Sequence, residues 1–522
     1  MVVDGANNGT DYLSRLGINT VTSFAAKFGG LVVSLLLIPY MVGNLGDADY
    51  GLWILVTSIV AVGSLADFGI AAALTKFVSE CNALADDDGC RQTIASALSI
   101  YTLIGIALII VALILAPAIP GLFDIAEGQH GTAKLLTALM GVSIGLSIPF
   151  AASTAVLQGL HRFDITAVLG LTRSVLFAVG VVGALANGGG LLHIAAAQIT
   201  ALVLVQIPAI WWIYRLKPEY QFGFRGGSKS AVKRIMNFSW PLFMVSIGGQ
   251  MQSKTDEIVI GARLPIGLIT PYSFAMLLSR VPQLFAEQFV SFMLPIASEL
   301  NAKSEQDKLR KLLLLGTRST LTVFLPIGGT LAILSGPILS AWVGEPYAKY
   351  SSLVWVLCGA LMLDTMQWPA AMVLQGMNRH KIFGIVSIAT GVSNILLSLA
   401  LIPYFGLMGV ALGTLITAAI ETMFVVLPYA CRRLNVSPRR FFVSVIIPVI
   451  LPTLVMVFTL MAMRAYTEDG GLMTLAAASV ISVFVYGVVF LMSPQSAPER
   501  TIVVSLLNSV KNRIFSSSGN RP

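Results

Sequence analysis

Eleven ionisable side chains fall inside stretches that are otherwise apolar. The cations are Lys27, Arg173, Lys254, Arg280 and Arg318; the anions are Asp67, Asp256, Glu257, Glu287, Asp364 and Glu421. Each costs about 2.5–3.5 kcal/mol near the middle of an apolar span. Eleven uncompensated charges would exceed the roughly 5–15 kcal/mol by which a whole protein is stable. These groups must therefore pair, reach an interface or face water. A guanidinium in such a place binds oxyanions well, with two parallel hydrogen bonds to phosphate or carboxylate oxygens, whereas an ammonium acts as a point charge. A carboxylate among hydroxyls and amides suits a proton or a hard cation.

Spacing sorts these residues into groups. At about 100° per residue, Asn19, Ser23, Lys27, Gly30 and Ser34 share one helical face. Ser246, Gln250, Lys254 and Glu257 share another, and Ser273, Arg280, Gln283, Glu287 and Ser291 a third. A polar stripe along most of a span is what the wall of a water-filled cavity requires; interhelical hydrogen bonding is the competing use. On the cavity reading, Arg280, Lys254 and Lys27 are the leading anion-binding residues, with Gln250, Glu257, Gln283 and Glu287 as their polar and charged partners. Arg173 is a further candidate with fewer polar neighbours, so a structural arginine is its alternative. A second group, Asp256, Asn394, Thr417 and Glu421, suits a proton or sodium site, or separate pairing with intramembrane cations. Arg318 is expected to extend to the nearby cytoplasmic surface, and Asp67 to anchor a turn.

The elements that position these residues follow from composition. The chain has 522 residues, 56% hydrophobic and 11% charged, with a mean hydropathy of +0.83. A soluble domain carries about a quarter charged residues, so lipid must be the solvent and a soluble globular protein is excluded. Runs of about twenty apolar residues, the length that crosses a bilayer, fall at 16–43, 50–73, 93–119, 134–157, 165–186, 191–213, 237–262, 270–295, 312–343, 351–375, 382–402, 407–430, 441–463 and 471–492. The sequence therefore predicts an all-α polytopic membrane protein of about 14 transmembrane helices, the 312–343 run being long enough to include an interfacial turn. The amino terminus contains Asp4 and Asp11 and no apolar core, so the first span is expected to serve as its own insertion signal. With that terminus inside, 24 of the 33 Lys and Arg residues fall in inner segments, 4 in outer loops and 5 within spans. This asymmetry is the positive-inside pattern. It predicts that both termini are cytoplasmic and explains the net charge of +8 without nucleic acid.

A repeat is legible. Leu157-Gln158-Gly159-Leu160-His161-Arg162 is echoed by Leu374-Gln375-Gly376-Met377-Asn378-Arg379, 217 residues on, and Phe77-Val78-Ser79-Glu80 by Ile296-Ala297-Ser298-Glu299, 219 residues on. Six spans separate each pair, so the halves run in parallel, a build seen in secondary transporters. The expected organisation is a cytoplasmic tail at 1–15, a six-helix lobe at 16–215, a basic connector at 216–235, a second six-helix lobe at 236–431, an appended helical pair at 441–492 and a tail at 493–522. The connector reads equally as a segment lying on anionic lipid or as a solvated linker.

Leu45-Gly46, Tyr50-Gly51-Leu52-Trp53, Asp67-Phe68-Gly69-Ile70, the two Leu-Gln-Gly motifs and Ile402-Pro403-Tyr404-Phe405-Gly406-Leu407-Met408-Gly409-Val410-Ala411 together resemble the Wzx-type polysaccharide transporters. These are lipid-linked oligosaccharide flippases of the superfamily that also holds the MATE exporters. The likeness runs from about residue 16 to residue 430. It implies two six-helix lobes around a central cavity lined by helices 1, 2, 7 and 8. It also implies movement of undecaprenyl-diphosphate-linked oligosaccharide from the cytoplasmic to the periplasmic leaflet of a bacterial inner membrane. Partners on this reading are the lipid-linked oligosaccharide, the bilayer and a polysaccharide polymerase with its co-polymerase.

Two other functions compete. A MATE-type cation-coupled antiporter of drugs or metabolites would have an acidic, aromatic cavity, whereas three cations sit on the stripes here. An oligosaccharide polymerase or ligase would need a sizeable outer loop, and the largest here lies near 120–133. The expectation is therefore a transporter and not an enzyme. No cofactor is expected beyond a coupling proton or sodium ion. The glycine run Asn187-Gly188-Gly189-Gly190 lacks the Lys-Ser/Thr of a phosphate-binding loop, and Cys81, Cys90, Cys358 and Cys431 have no metal or disulfide spacing.

Overall fold

Among the described residues of the computed structural model (7–377, 379, 381–468, 471–496 and 500–501) every regular element is helical. The chain forms two compact units, 1–270 with 387–395, and 271–386 with 396–522.

In the first unit, α1 (Asn7–Val62) is interrupted at Gly46, whose φ of 76° and ψ of 171° leave helical space. A short 3-10 turn then leads to α2 (Ile70–Ala83), followed by α3 (Asp87–Leu115), α4 (Ile119–Leu122), α5 (His130–Gly159), α6 (Phe163–Ala186), α7 (Leu191–Leu216) and α8 (Lys229–Arg263). The runs at 16–43 and 50–73 are thus two helical segments, divided at Gly46, where only glycine takes such a φ without strain. Asp86 caps α3 by accepting from the Gly89 N–H at 2.9 Å, and Ser228 caps α8 by accepting from Ala231 at 3.2 Å. Asp67 anchors the preceding turn, accepting from the Gly69 N–H at 3.1 Å and from the Tyr101 hydroxyl.

The second unit contains α9 (Ile269–Val290), α10 (Met293–Ala302), α11 (Gln306–Ile333), α12 (Ser335–Val343), α13 (Ser351–Gly376), α14 (Lys381–Phe405, of which Ser387–Ile395 groups with the first unit), α15 (Leu407–Ile420), a π-helical turn (Glu421–Val426), α16 (Leu427–Arg433), α17 (Pro438–Phe441), a second π-helical turn (Phe442–Ile446), α18 (Ile447–Glu468) and α19 (Gly471–Met492). The long 312–343 run divides at Leu334 into α11 and α12. The appended pair packs on α11: the Thr330 and Ser482 hydroxyls are 2.9 Å apart, and Met456 and Leu460 join the buried core of the unit.

Each unit has its own apolar core, yet large hydrophobic side chains also point outward. On α3, Leu103, Ile106, Ile110 and Leu113 are all exposed along one face, a stripe that water would not tolerate at this extent and that lipid accepts. Eleven helical stretches among the described residues are long and apolar enough to cross a membrane, and one of them, Ala25–Ala83, has 59 residues. α8 and α9, of 35 and 22 residues, are also long enough to cross a membrane.

The repeat is visible in backbone detail. A Cβ at Gly159 would lie 2.8 Å from Val78 Cβ and 2.9 Å from the Thr75 carbonyl oxygen; at Gly376 it would lie 2.6 Å from Ala297 Cβ and 2.8 Å from the Ser298 nitrogen. Val78 and Ala297 are the paired positions of the second sequence echo. The Arg162 N–H donates to the Leu157 carbonyl and the Arg379 N–H to the Leu374 carbonyl, both at 2.9 Å. Ala85 and Ser304, 219 residues apart, both take a positive φ, of 53° and 57°.

Candidate functional site

In the second unit, α9 and α13 bring a charged constellation together. The Gln283 amide donates to Asp364 Oδ2 at 3.0 Å and to the Thr365 hydroxyl at 3.1 Å, and the Gln367 amide donates to Asp364 Oδ1 at 3.2 Å. Arg280, one turn before Gln283 on the same face of α9, lies close enough for its charge to act on Asp364. Two amides therefore fix a carboxylate within electrostatic reach of a guanidinium, a group whose N–H fork suits an oxyanion. Glu287, a turn further along, is exposed. Beside α13, the π-helical turn begins at Glu421, and the Thr422 hydroxyl donates to the Leu363 carbonyl at 3.0 Å. Such turns recur at functional sites.

The first unit presents a different arrangement. Arg173 on α6 is exposed onto a cavity of about 320 Å³, whose polar lining is Ser147, Thr154 and Gln158 of α5 and Gln206 of α7. Phe150 and Ala151 complete the α5 wall. Gln206 is oriented by the Ser153 hydroxyl, which donates to its Oε1 at 2.8 Å. Lys27 is exposed on α1, which meets α6 where Gly30 faces Ser174.

The remaining predicted residues are placed as follows. Asp256 and Glu257 on α8 are 3% and 6% exposed, and no hydrogen bond reaches Glu257 Oε2 among the described residues. Asn394 is buried within the first unit; Thr417 and Glu421 are buried in the second, where the Thr417 hydroxyl donates to the Gly413 carbonyl at 2.8 Å. The side chains of Gln250 and Lys254 lie outside the described residues. Arg318 does not extend to the surface as expected. It is 5% exposed and lies 3.5 Å from the Ser444 carbonyl, because the segment before α18 covers α11 at that point. Sequence reasoning passed over Asp364 as a site residue. Its signal was present, an acid inside an apolar span, but its partner Gln283 lies 81 positions away.

A family model described as a polysaccharide biosynthesis protein matches residues 16–301, more than half of the chain. The chain belongs to that family. The chain is 23% identical over 417 residues to a "Probable low-salt glycan biosynthesis flippase" of Haloferax volcanii, over 78% of this chain and 82% of the relative. Its fold matches that of the lipid II flippase MurJ in an inward closed conformation, with a TM-score of 0.72 at 18% identity over 93% of this chain and 99% of the other. It also matches a multidrug-resistance MATE transporter of the MOP superfamily in an inward-facing conformation, with a TM-score of 0.65 at 15% identity over 81% and 98%. The resemblance to Wzx-type polysaccharide transporters and the all-helical polytopic fold are both borne out.

Proposed function

We propose that the protein is a flippase that carries undecaprenyl-diphosphate-linked oligosaccharide repeat units across a bacterial inner membrane by alternating access. The observation that carries this reading is the Arg280–Asp364 constellation in a fold shared with a lipid II flippase. A diphosphate crossing a low-dielectric interior must exchange its water for fixed donors, and Arg280 supplies a planar fork of them. Asp364 and its two amides hold that fork in place when no substrate is bound. They also limit how tightly an anion is gripped, which a carrier needs in order to release its load. Lys254 and Lys27 act as point-charge partners, and Glu257 and Glu287 temper the field they create. On this reading α8 and α9 complete a set of about fourteen crossings, and both termini face the cytoplasm. The buried groups Asp256, Asn394, Thr417 and Glu421 respond to a proton or sodium gradient. The protein works as a transporter, supplying a polymerase with substrate, and not as an enzyme.

The test is complementation of a strain deleted for this protein. Arg280→Ala abolishes polymer export while the protein stays at its normal level in the membrane, and Arg280→Lys retains part of the activity. Full export by both Arg280→Ala and Lys254→Ala would remove the diphosphate site from this constellation.

A further inference from the structure

The cavity in the first unit carries chemistry that the Arg280 constellation does not. Three of its side chains, Arg173, Gln158 and Thr154, have no hydrogen-bond or ion-pair partner among the described residues, although they sit on membrane-spanning helices. No charged neighbour acts on Arg173, and no acidic residue lines the cavity. Ser147 donates to the Ile144 carbonyl at 2.8 Å, so its oxygen remains an acceptor. Gln206 is held by Ser153 through its oxygen and keeps its amide nitrogen as a donor. Polar and ionisable groups within spans almost always face the bundle interior or a water-filled cavity. Their convergence on this one cavity is a place prepared for a ligand.

The donor set defines that ligand. One guanidinium matches one carboxylate through paired hydrogen bonds. Gln158 and Thr154, each able to give and accept, with the Ser147 oxygen as an acceptor and the Gln206 nitrogen as a donor, match the neighbouring hydroxyls of a sugar ring, and the Phe150 ring offers an apolar face for its C–H groups. A diphosphate carries more charge than one guanidinium balances, and Lys27 is not among the lining residues. A cationic drug has no carboxylate here to meet it. The volume of about 320 Å³ lies at the small end of the range for ligand pockets, about 300–1,000 Å³, which suits a monosaccharide-sized group.

We infer that this cavity, built by Arg173, Gln158, Gln206, Ser147, Thr154 and Phe150, binds a carboxylated sugar, so that the transported glycan carries an acidic residue recognised apart from its diphosphate. The identity of the cargo rests on the flippase reading; the ligand class rests on the cavity.

The experiment titrates the purified full-length protein in detergent with D-glucuronate, D-glucose and inorganic pyrophosphate at matched ionic strength, because screening would otherwise mask the comparison. Binding is read by calorimetry or thermal shift. D-Glucuronate binds more tightly than D-glucose. Arg173→Gln weakens D-glucuronate at least about tenfold, the scale of a charge-assisted pair. Thr154→Val, which preserves volume and removes no charge, weakens it a few-fold and serves if Arg173→Gln folds poorly. The inference is overturned by D-glucuronate binding that survives both cavity variants, by equal binding of D-glucose, by the absence of D-glucuronate binding, or by pyrophosphate binding that depends on Arg173. Because binding is read without transport, a failed export test leaves this result standing, and a failed binding test leaves the flippase reading standing.

Discussion

The α5 face of the first unit and the α13 face of the second occupy the same place in the repeat, yet they hold opposite devices. Subtracting 217 from Asp364, Gln367 and Trp368 gives Ser147, Phe150 and Ala151. In the second unit the position holds a carboxylate bonded by two amides, with a cation on the neighbouring α9. In the first unit the carboxylate is a hydroxyl, the amide an aromatic ring, and the cation sits on α6 beside an open cavity. A repeat preserves helix packing, because backbone approach at Gly159 and Gly376 leaves no freedom. It does not preserve charge on the faces that packing leaves open. One half therefore holds a carboxylate between two amides, and the other sets its cation beside an open cavity.

The sharpest test of that contrast is substitution of the two equivalent positions. Asp364→Ala removes the acceptor of Gln283 and Gln367 and leaves their buried amides unsatisfied, a loss of about 2–4 kcal/mol in unfolding experiments in detergent. Ser147→Ala costs under about 1 kcal/mol, because that hydroxyl bonds only its own helix. Equal losses would mean that the two faces do the same structural work. Asp364→Asn separates the charge from the hydrogen bonds and falls between the two.

A smaller effect tests what the halves share. Gly159→Ala and Gly376→Ala each force a methyl group against a neighbouring helix, costing about 1–3 kcal/mol by overpacking. The two losses match within experimental error. A large loss at only one site would show that the close approach has been relaxed in the other half.

The smallest effect lies at the paired glutamates Glu80 and Glu299. Arg234 of α8 reaches Glu80 at 2.7 Å and ties α8 to α2, whereas Glu299 of α10 pairs with Lys303 at the end of the same helix. Glu80→Gln lowers stability by about 0.5 kcal/mol, the scale of an exposed ion pair. Glu299→Gln produces no measurable change in the same unfolding experiment. A larger loss at Glu299 than at Glu80 would reverse the assignment of the inter-helix tie to the first half.

These differences mark what could be read from the chain alone. Hydropathy made the membrane class unavoidable, because the cost of transferring a residue to lipid belongs to that residue and sums along a span. The echoes at 157–162 and 374–379 were visible for a related reason: a helix end that abuts a neighbour's backbone admits only glycine, so packing writes itself into local sequence. Charged residues inside spans stood out on the same grounds, and Arg280 and Gln283 shared a face by simple helical periodicity. What those charges meet is another matter. That Asp364 accepts from Gln283, that Arg318 is covered by the segment before α18, and that Gln158 and Gln206 open with Arg173 onto one cavity all depend on which helices adjoin. The energy of such a contact belongs to a pair of residues tens to more than a hundred positions apart. No window along the sequence contains both partners, and only the folded chain brings them within hydrogen-bonding distance.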